Sequence, residues 1–265
     1  MTYADVNGLS LYYEEYGSGE PLVLLHGGFG AGELLAPIVP ALAAGRRVIT
    51  VDLQGHGHTA DIERPLCPEH MADDVAALIG HLGLERADVM GYSLGGLVAL
   101  RTAIQHPDRV RRLVLVSVSF RRDGSYPEVL QAMDQMGPGA ADMLRQSPPG
   151  ELYARTAPRP ADWPVLVTKT SELLHTDYDW TAETGALEAP TLLVFADADS
   201  IRPAHIAEFF ALLGGGLQDA GWDGSRRPAS QLAILPGRTH YDISVSPALA
   251  PTVIPFLDAA AAETT

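Results

Sequence analysis

The chain has 265 residues, 46% hydrophobic and 19% charged, and its 18 basic and 33 acidic side chains give a formal net charge of −15. That length holds one large globular domain with a full core, or a domain carrying a lid. The acidity disfavours nucleic acid and anionic membranes as partners, and no apolar run approaches the ~20 residues of a membrane helix.

From the N-terminus, Met1-Thr2-Tyr3-Ala4-Asp5-Val6 lacks a basic stretch followed by an apolar one, so no signal peptide is expected and a cytoplasmic protein is. Residues 10–16 alternate in polarity and read as a β-hairpin edge with the residues before them. Short apolar runs at 22–25, 47–52, 87–91, 113–118, 191–196 and 231–235 are bounded by turn residues, as buried parallel strands are. Between them, 34–42, 70–82, 94–105 and 203–213 carry apolar residues at helical spacing, and 248–261 reads as a last helix. The alternation predicts an α/β fold with a mainly parallel central sheet flanked by helices.

Two segments break the rhythm. Residues 119–187 are too many for a bare connection. They carry Pro127, Pro138, Pro148, Pro149, Pro158, Pro160 and Pro164, with apolar residues at helical spacing between them. They are predicted to form a mobile helical cap inserted after a strand, leaving 1–118 and 188–265 as the core. Residues 214–228, with Gly221-Trp222-Asp223-Gly224, read as an extended surface loop.

Gly91-Tyr92-Ser93-Leu94-Gly95 lies where the 87–91 strand meets the 94–105 helix. Such strings also arise in glycine-rich loops; here strand, sharp turn and helix supply the context of a nucleophile elbow. Flanking glycines let strand and helix approach closely enough for a strained serine between them. The Ser93 hydroxyl then stands clear of the sheet at the positive end of a helix.

A serine hydroxyl needs a base, and the base an orienting acid. Among nine histidines the best base is His240, which follows the last strand in Leu235-Pro236-Gly237-Arg238-Thr239-His240. His81 and His106 read as surface residues of helices, His70 as opening a helix, and His175 and His205 as lying in the cap and at a helix start. His56 and His58 share a loop and would suit a metal, but no carboxylate cluster completes a set, so none is expected. Cys67, the single cysteine, forms no internal disulfide or CxxC zinc pattern. It sits in a rigid Pro-Leu-Cys-Pro loop and is not expected to be a nucleophile.

The acid is read as Asp199, in Phe195-Ala196-Asp197-Ala198-Asp199, giving the chain order Ser, Asp, His. Asp197 is a rival, read as a turn carboxylate, and Asp123 a more distant one. An oxyanion hole needs two backbone N–H groups. Leu94 is one candidate donor; Gly28 and Phe29, in His26-Gly27-Gly28-Phe29-Gly30, are both candidates for the other.

These residues make the chain resemble the α/β-hydrolase superfamily across nearly its whole length. His26 to Gly30 is similar to that family's oxyanion loop, Asp52-Leu53-Gln54-Gly55-His56-Gly57-His58-Thr59 to its D-x-x-G-x-G-x-S turn, Gly91 to Gly96 to its elbow, and Asp199 and His240 to its acid and base. The resemblance implies the α/β-hydrolase fold with an inserted cap, and acyl transfer to water without a cofactor. The family's dehalogenases and soluble epoxide hydrolases carry aspartate where this chain has Ser93. The expected activity is therefore hydrolysis of small carboxylic esters through an acyl-enzyme, as in a carboxylesterase. Lactone or C–C bond hydrolysis on the same triad is the alternative, and a hydrolase-fold receptor for a small ligand is the non-enzymatic one. Met133, Met136, Met143, Trp163 and Trp180 either wall an acyl pocket or pack the cap. Acyl length, alcohol and oligomeric state stay open.

Overall fold

Strands rich in Val, Leu and Ile, buried on both faces, build a parallel sheet. The computed structural model describes residues 2–259. Among them the strands are β1 (Thr2–Val6), β2 (Leu9–Tyr16), β3 (Glu20–Leu25), β4 (Arg46–Val51), β5 (Ala87–Tyr92), β6 (Val110–Val116), β7 (Thr191–Ala198) and β8 (Gln231–Thr239). They form one sheet in the order β1-β2-β4-β3-β5-β6-β7-β8. The β1–β2 and β2–β4 pairs are antiparallel and the rest parallel.

The helices are α1 (Val39–Ala43), α2 (Pro68–His81), α3 (Leu94–Gln105), α4 (Pro127–Gln135), α5 (Ala141–Arg145), α6 (Pro148–Thr156), α7 (Trp163–His175), α8 (Thr181–Gly185), α9 (Pro203–Leu212) and α10 (Leu249–Asp258). Strand alternation divides the interior into two layers. Val23 and Leu25 face the side covered by α2, α3 and α9, and Leu22 and Leu24 the side covered by α1 and α10. None of the helices among the described residues is long and apolar enough to cross a membrane.

Several boundaries differ from the sequence expectation for physical reasons. The 34–42 helix splits into a 3₁₀ turn at Gly32–Leu35 and the short α1. Pro37 falls in the gap and Pro40 has no N–H to donate, so the helix restarts with Pro40 in its first turn, where none is needed. The 113–118 strand ends at Val116 because Ser117 takes a left-handed φ of 50°. Helix α2 begins at Pro68, before His70, and the sulfur of Cys67 caps it by accepting the His70 amide at 3.5 Å. Of the 248–261 helix, residues 260 and 261 lie outside the described residues.

Residues 119–187 hold α4 to α8, and proline is the first residue of α4 and α6, where its fixed φ suits helix entry. The two stems of this insert bond to each other: the Trp180 amide donates to Phe120 O and the Arg122 amide to Tyr178 O, both at 3.0 Å. Lys169 of α7, the chain's one lysine, donates to Asp61 Oδ2 at 2.5 Å and to the carbonyls of Ile62 and Arg64 at 2.8 Å, tying the insert to the loop after β4. Residues 214–228 contain neither helix nor strand, and Trp222 there is fully exposed.

Candidate functional site

The C-terminal ends of parallel strands are where open α/β sheets gather ligand-binding loops. β5 runs into α3 with one residue, Ser93, between them, at φ 52° and ψ −116°. The space explains the glycines: a Cβ on Gly91 would lie 2.0 Å from Gly95 O, and one on Gly95 2.5 Å from His26 O. Ser93 heads α3 without capping it through its side chain, so the hydroxyl is not committed to the helix.

His240 comes immediately after β8. Its Nε2 lies 3.2 Å from Ser93 Oγ and its Nδ1 3.1 Å from Asp199 Oδ1. The Asp199 side chain is 1% exposed. Its Oδ1 also accepts the Ser200 amide at 2.8 Å, and its Oδ2 accepts the Ala196 amide at 2.9 Å. Burial pushes this carboxyl up, but hydrogen bonds from His240, Ser117 and the Ala196 amide more than reverse that and hold it below the ordinary aspartate value.

The rival carboxylates are engaged elsewhere. Asp197 accepts the amides of Gly237 at 2.9 Å and Arg238 at 3.2 Å, closing the turn at the end of β8. Asp123 accepts from Arg121 Nε at 2.6 Å at the surface.

The loop after β3 lies against Ser93. A Cβ on Gly27 would be 3.5 Å from Ser93 Cβ, and one on Gly28 3.9 Å from Leu94 Cβ. Gly30 N–H donates to Gly27 O at 3.1 Å, making a tight turn whose third residue, Phe29, has a left-handed φ of 57°. The Phe29 ring packs on Trp163 of the insert, centroids 5.7 Å apart.

Two contacts were not legible in the sequence. Tyr92 Oη donates to His240 O at 2.7 Å, fastening the histidine loop to β5. Ser117 Oγ donates to Asp199 Oδ2 at 2.5 Å. Tyr92 is the variable position of the elbow, and Ser117 sits in an apolar run that reads as plain strand.

A cavity of about 530 Å³ opens over Ser93 and His240, with Gly28, Phe29 and Leu94 in its wall. Val129, Met133, Met136 and Leu173 of the insert form its apolar side. The five candidate wall residues therefore divide. Met133 and Met136 line the cavity, whereas Met143 faces solvent and Trp163 and Trp180 are buried in cores, Trp163 with its Nε1 donating to Ala141 O at 2.8 Å. A wider groove of about 1000 Å³ between β2 and α1 contains none of the candidate site residues.

His106 pairs with Asp73 at 2.7 Å and His58 with Asp52 at 2.9 Å. His26, His56 and His205 are buried. His205, expected simply at a helix start, stacks on Phe120 with centroids 4.1 Å apart, and its Nε2 accepts the Phe120 amide at 3.3 Å. Burial, with Arg121 nearby, pushes it down from 6.5 to about 4. The unfolded chain thus binds more protons than the native one between those values, and stability falls as the pH falls. From pH 6.5 to 5 this one site is expected to withdraw about 1.5 kcal/mol. Urea midpoints measured across that range should decline less steeply in His205→Gln, whatever that variant's absolute stability; an unchanged slope would refute the assignment.

Comparisons with known proteins agree with this architecture. A profile described as "alpha/beta hydrolase fold" matches residues 20–201. The chain is 30% identical to a protein of Azorhizobium caulinodans provisionally named as the carbamate hydrolase RutD, over 83% of this chain and 88% of that protein. It is 33% identical to a pimeloyl-[acyl-carrier protein] methyl ester esterase of Chromobacterium violaceum, over 77% of this chain and 85% of the other. The crystal structure of an enol-lactonase from Burkholderia xenovorans shares the fold, with a TM-score of 0.74 at 24% identity, over 97% of this chain and all of that one.

Proposed function

We propose that this chain, which belongs to the α/β-hydrolase family, is a serine hydrolase that cleaves carboxylic esters of small molecules through an acyl-enzyme. The observation that carries the reading is the series Ser93–His240–Asp199, with contacts of 3.2 and 3.1 Å, at the floor of a mostly apolar cavity. The methyl ester esterase and the carbamate hydrolase among the relatives support an acyl carbon bearing a heteroatom leaving group.

In this reading His240 Nε2 takes the Ser93 proton as Oγ attacks the ester carbonyl, and Asp199 holds the imidazole tautomer and stabilises its charged form. The Leu94 amide, in the first turn of α3 and so without an intrahelical acceptor, donates to the developing oxyanion. The amide of Gly28 or Phe29 supplies the second bond. His240 returns the proton to the leaving alcohol, then deprotonates a water that attacks the acyl carbon and frees Ser93.

Residues 119–187 act as a cap that sets acyl length, because Met133 and Met136 form the apolar wall. A panel of p-nitrophenyl esters from acetate to decanoate, with lactones beside it, tests both statements. Many turnovers per protein are expected on the esters; a single stoichiometric burst would instead indicate a receptor. In Met136→Trp the longest ester turned over by the parent should lose about tenfold or more in kcat/KM while acetate is retained. A common factor across all esters would defeat the cap's role in specificity, since it reports stability or gating.

A further inference from the structure

We infer that Ser117 is a positioning residue that holds the carboxylate of Asp199 in register with His240. The inference rests on the triad reading above. Tyr92 of β5 is paired with Val116 of β6, so Ser93 and Ser117 are the first residues beyond the ends of two neighbouring strands. Both leave their strand in the left-handed region, at φ 52° and 50°. Glycine adopts that conformation without penalty and serine does not, so a serine there points to a use for the side chain. At Ser93 the use is the nucleophilic hydroxyl. At Ser117 the hydroxyl donates to Asp199 Oδ2 at 2.5 Å, and both residues are buried to 1% exposure or less on that side chain or residue.

The remaining bonds show why this donor matters. The Ser117 amide donates to Val194 O at 2.9 Å, so its backbone is anchored to β7, the strand that leads into Asp199. The two carboxylate oxygens divide their partners. Oδ1 faces His240 and the amides of Ser200 and Ile201, and Oδ2 receives Ser117 and the Ala196 amide. Bonds on both oxygens fix the plane of the carboxylate as well as its position. Removing Ser117 Oγ leaves Oδ2 with the Ala196 amide alone and loosens that side of the carboxylate, so the group can tilt about its Oδ1 contacts. A tilted carboxylate turns the imidazole with it and lengthens the His240–Ser93 contact, which governs proton transfer and not substrate binding.

Ser117→Gly and Ser117→Ala separate this role from a structural one. Both remove the hydroxyl, but glycine suits the left-handed backbone and alanine does not, so Ser117→Gly should melt at the higher temperature. The assays are steady-state hydrolysis of p-nitrophenyl butyrate and the rate of Ser93 labelling by a fluorophosphonate. Both variants should lose about 10- to 100-fold in kcat and in labelling rate, with KM within about twofold of the parent. Ser117→Gly should be no more active than Ser117→Ala despite its higher melting temperature. The inference is overturned if Ser117→Gly keeps the parent kcat, or if activity in the two variants follows melting temperature. Ser93→Ala runs beside them. If it is inert while Ser117→Gly is fully active, only the role of Ser117 falls; if it turns over normally, the triad reading itself falls.

Discussion

Ser93→Ala is expected to lower kcat by at least about 10⁴-fold on any ester the parent hydrolyses, with the fold intact. The size follows from removing the only protein atom that, in this reading, bonds to the acyl carbon. What remains is a pocket and a pair of backbone amides, worth a small part of the rate. The fold should survive because Ser93 Oγ makes no cap to α3 and because alanine meets the same left-handed φ that serine already accepts. The packing that closes the elbow belongs to Gly91 and Gly95, which are unchanged. Near-normal turnover by a variant with the parent's circular dichroism and melting temperature would remove Ser93 from the mechanism.

The elbow is legible in sequence because its constraint is steric and local. A Cβ at 2.0 Å from a carbonyl is forbidden to every residue but glycine, so the turn writes itself as a spacing. His240 is legible as the histidine placed just past the last strand. Asp199 is legible through chain order, although its contact with His240 spans 41 residues. Ser117 is not, since a serine among valines looks like strand alternation and its φ of 50° is set by the tertiary path from β6 into the insert. The same limit hides the fate of the insert's large side chains. Trp163 and Met133 both recur at helical spacing, and only tertiary packing decides their fates: α7 against α5 and α6 makes the tryptophan core, and α4 against α7 leaves the methionine on the cavity wall. The split of the 34–42 segment is legible in Pro37 and Pro40, since each removes a helix N–H and crowds the preceding turn.

Asp199→Asn is expected to cost about 10⁴-fold in kcat while leaving KM little changed. The atoms around the carboxylate set the outcome. Both oxygens accept backbone N–H groups: Oδ1 those of Ser200 at 2.8 Å and Ile201 at 3.4 Å, Oδ2 that of Ala196 at 2.9 Å. An asparagine has one acceptor oxygen and one NH₂, so either orientation aims an NH₂ at a backbone donor. With the oxygen toward Ala196 and Ser117, both amide–hydroxyl donors on that side are satisfied. The NH₂ then points at His240 Nδ1, which has to accept, and the ring proton moves to Nε2. That tautomer cannot take the proton of Ser93. The opposite orientation preserves the tautomer but buries an NH₂ against the Ala196 N–H and removes the negative charge that stabilises the imidazolium. The misplaced pair should also lower stability by about 1–3 kcal/mol. Asp197→Asn is the matched control, because Asp197 closes the turn at Gly237 and Arg238 and makes no contact with the histidine ring. Its kcat should stay within about tenfold of the parent. Equal losses in the two variants, measured at the same pH on the same ester, would show that the acid of the series had been assigned to the wrong carboxylate.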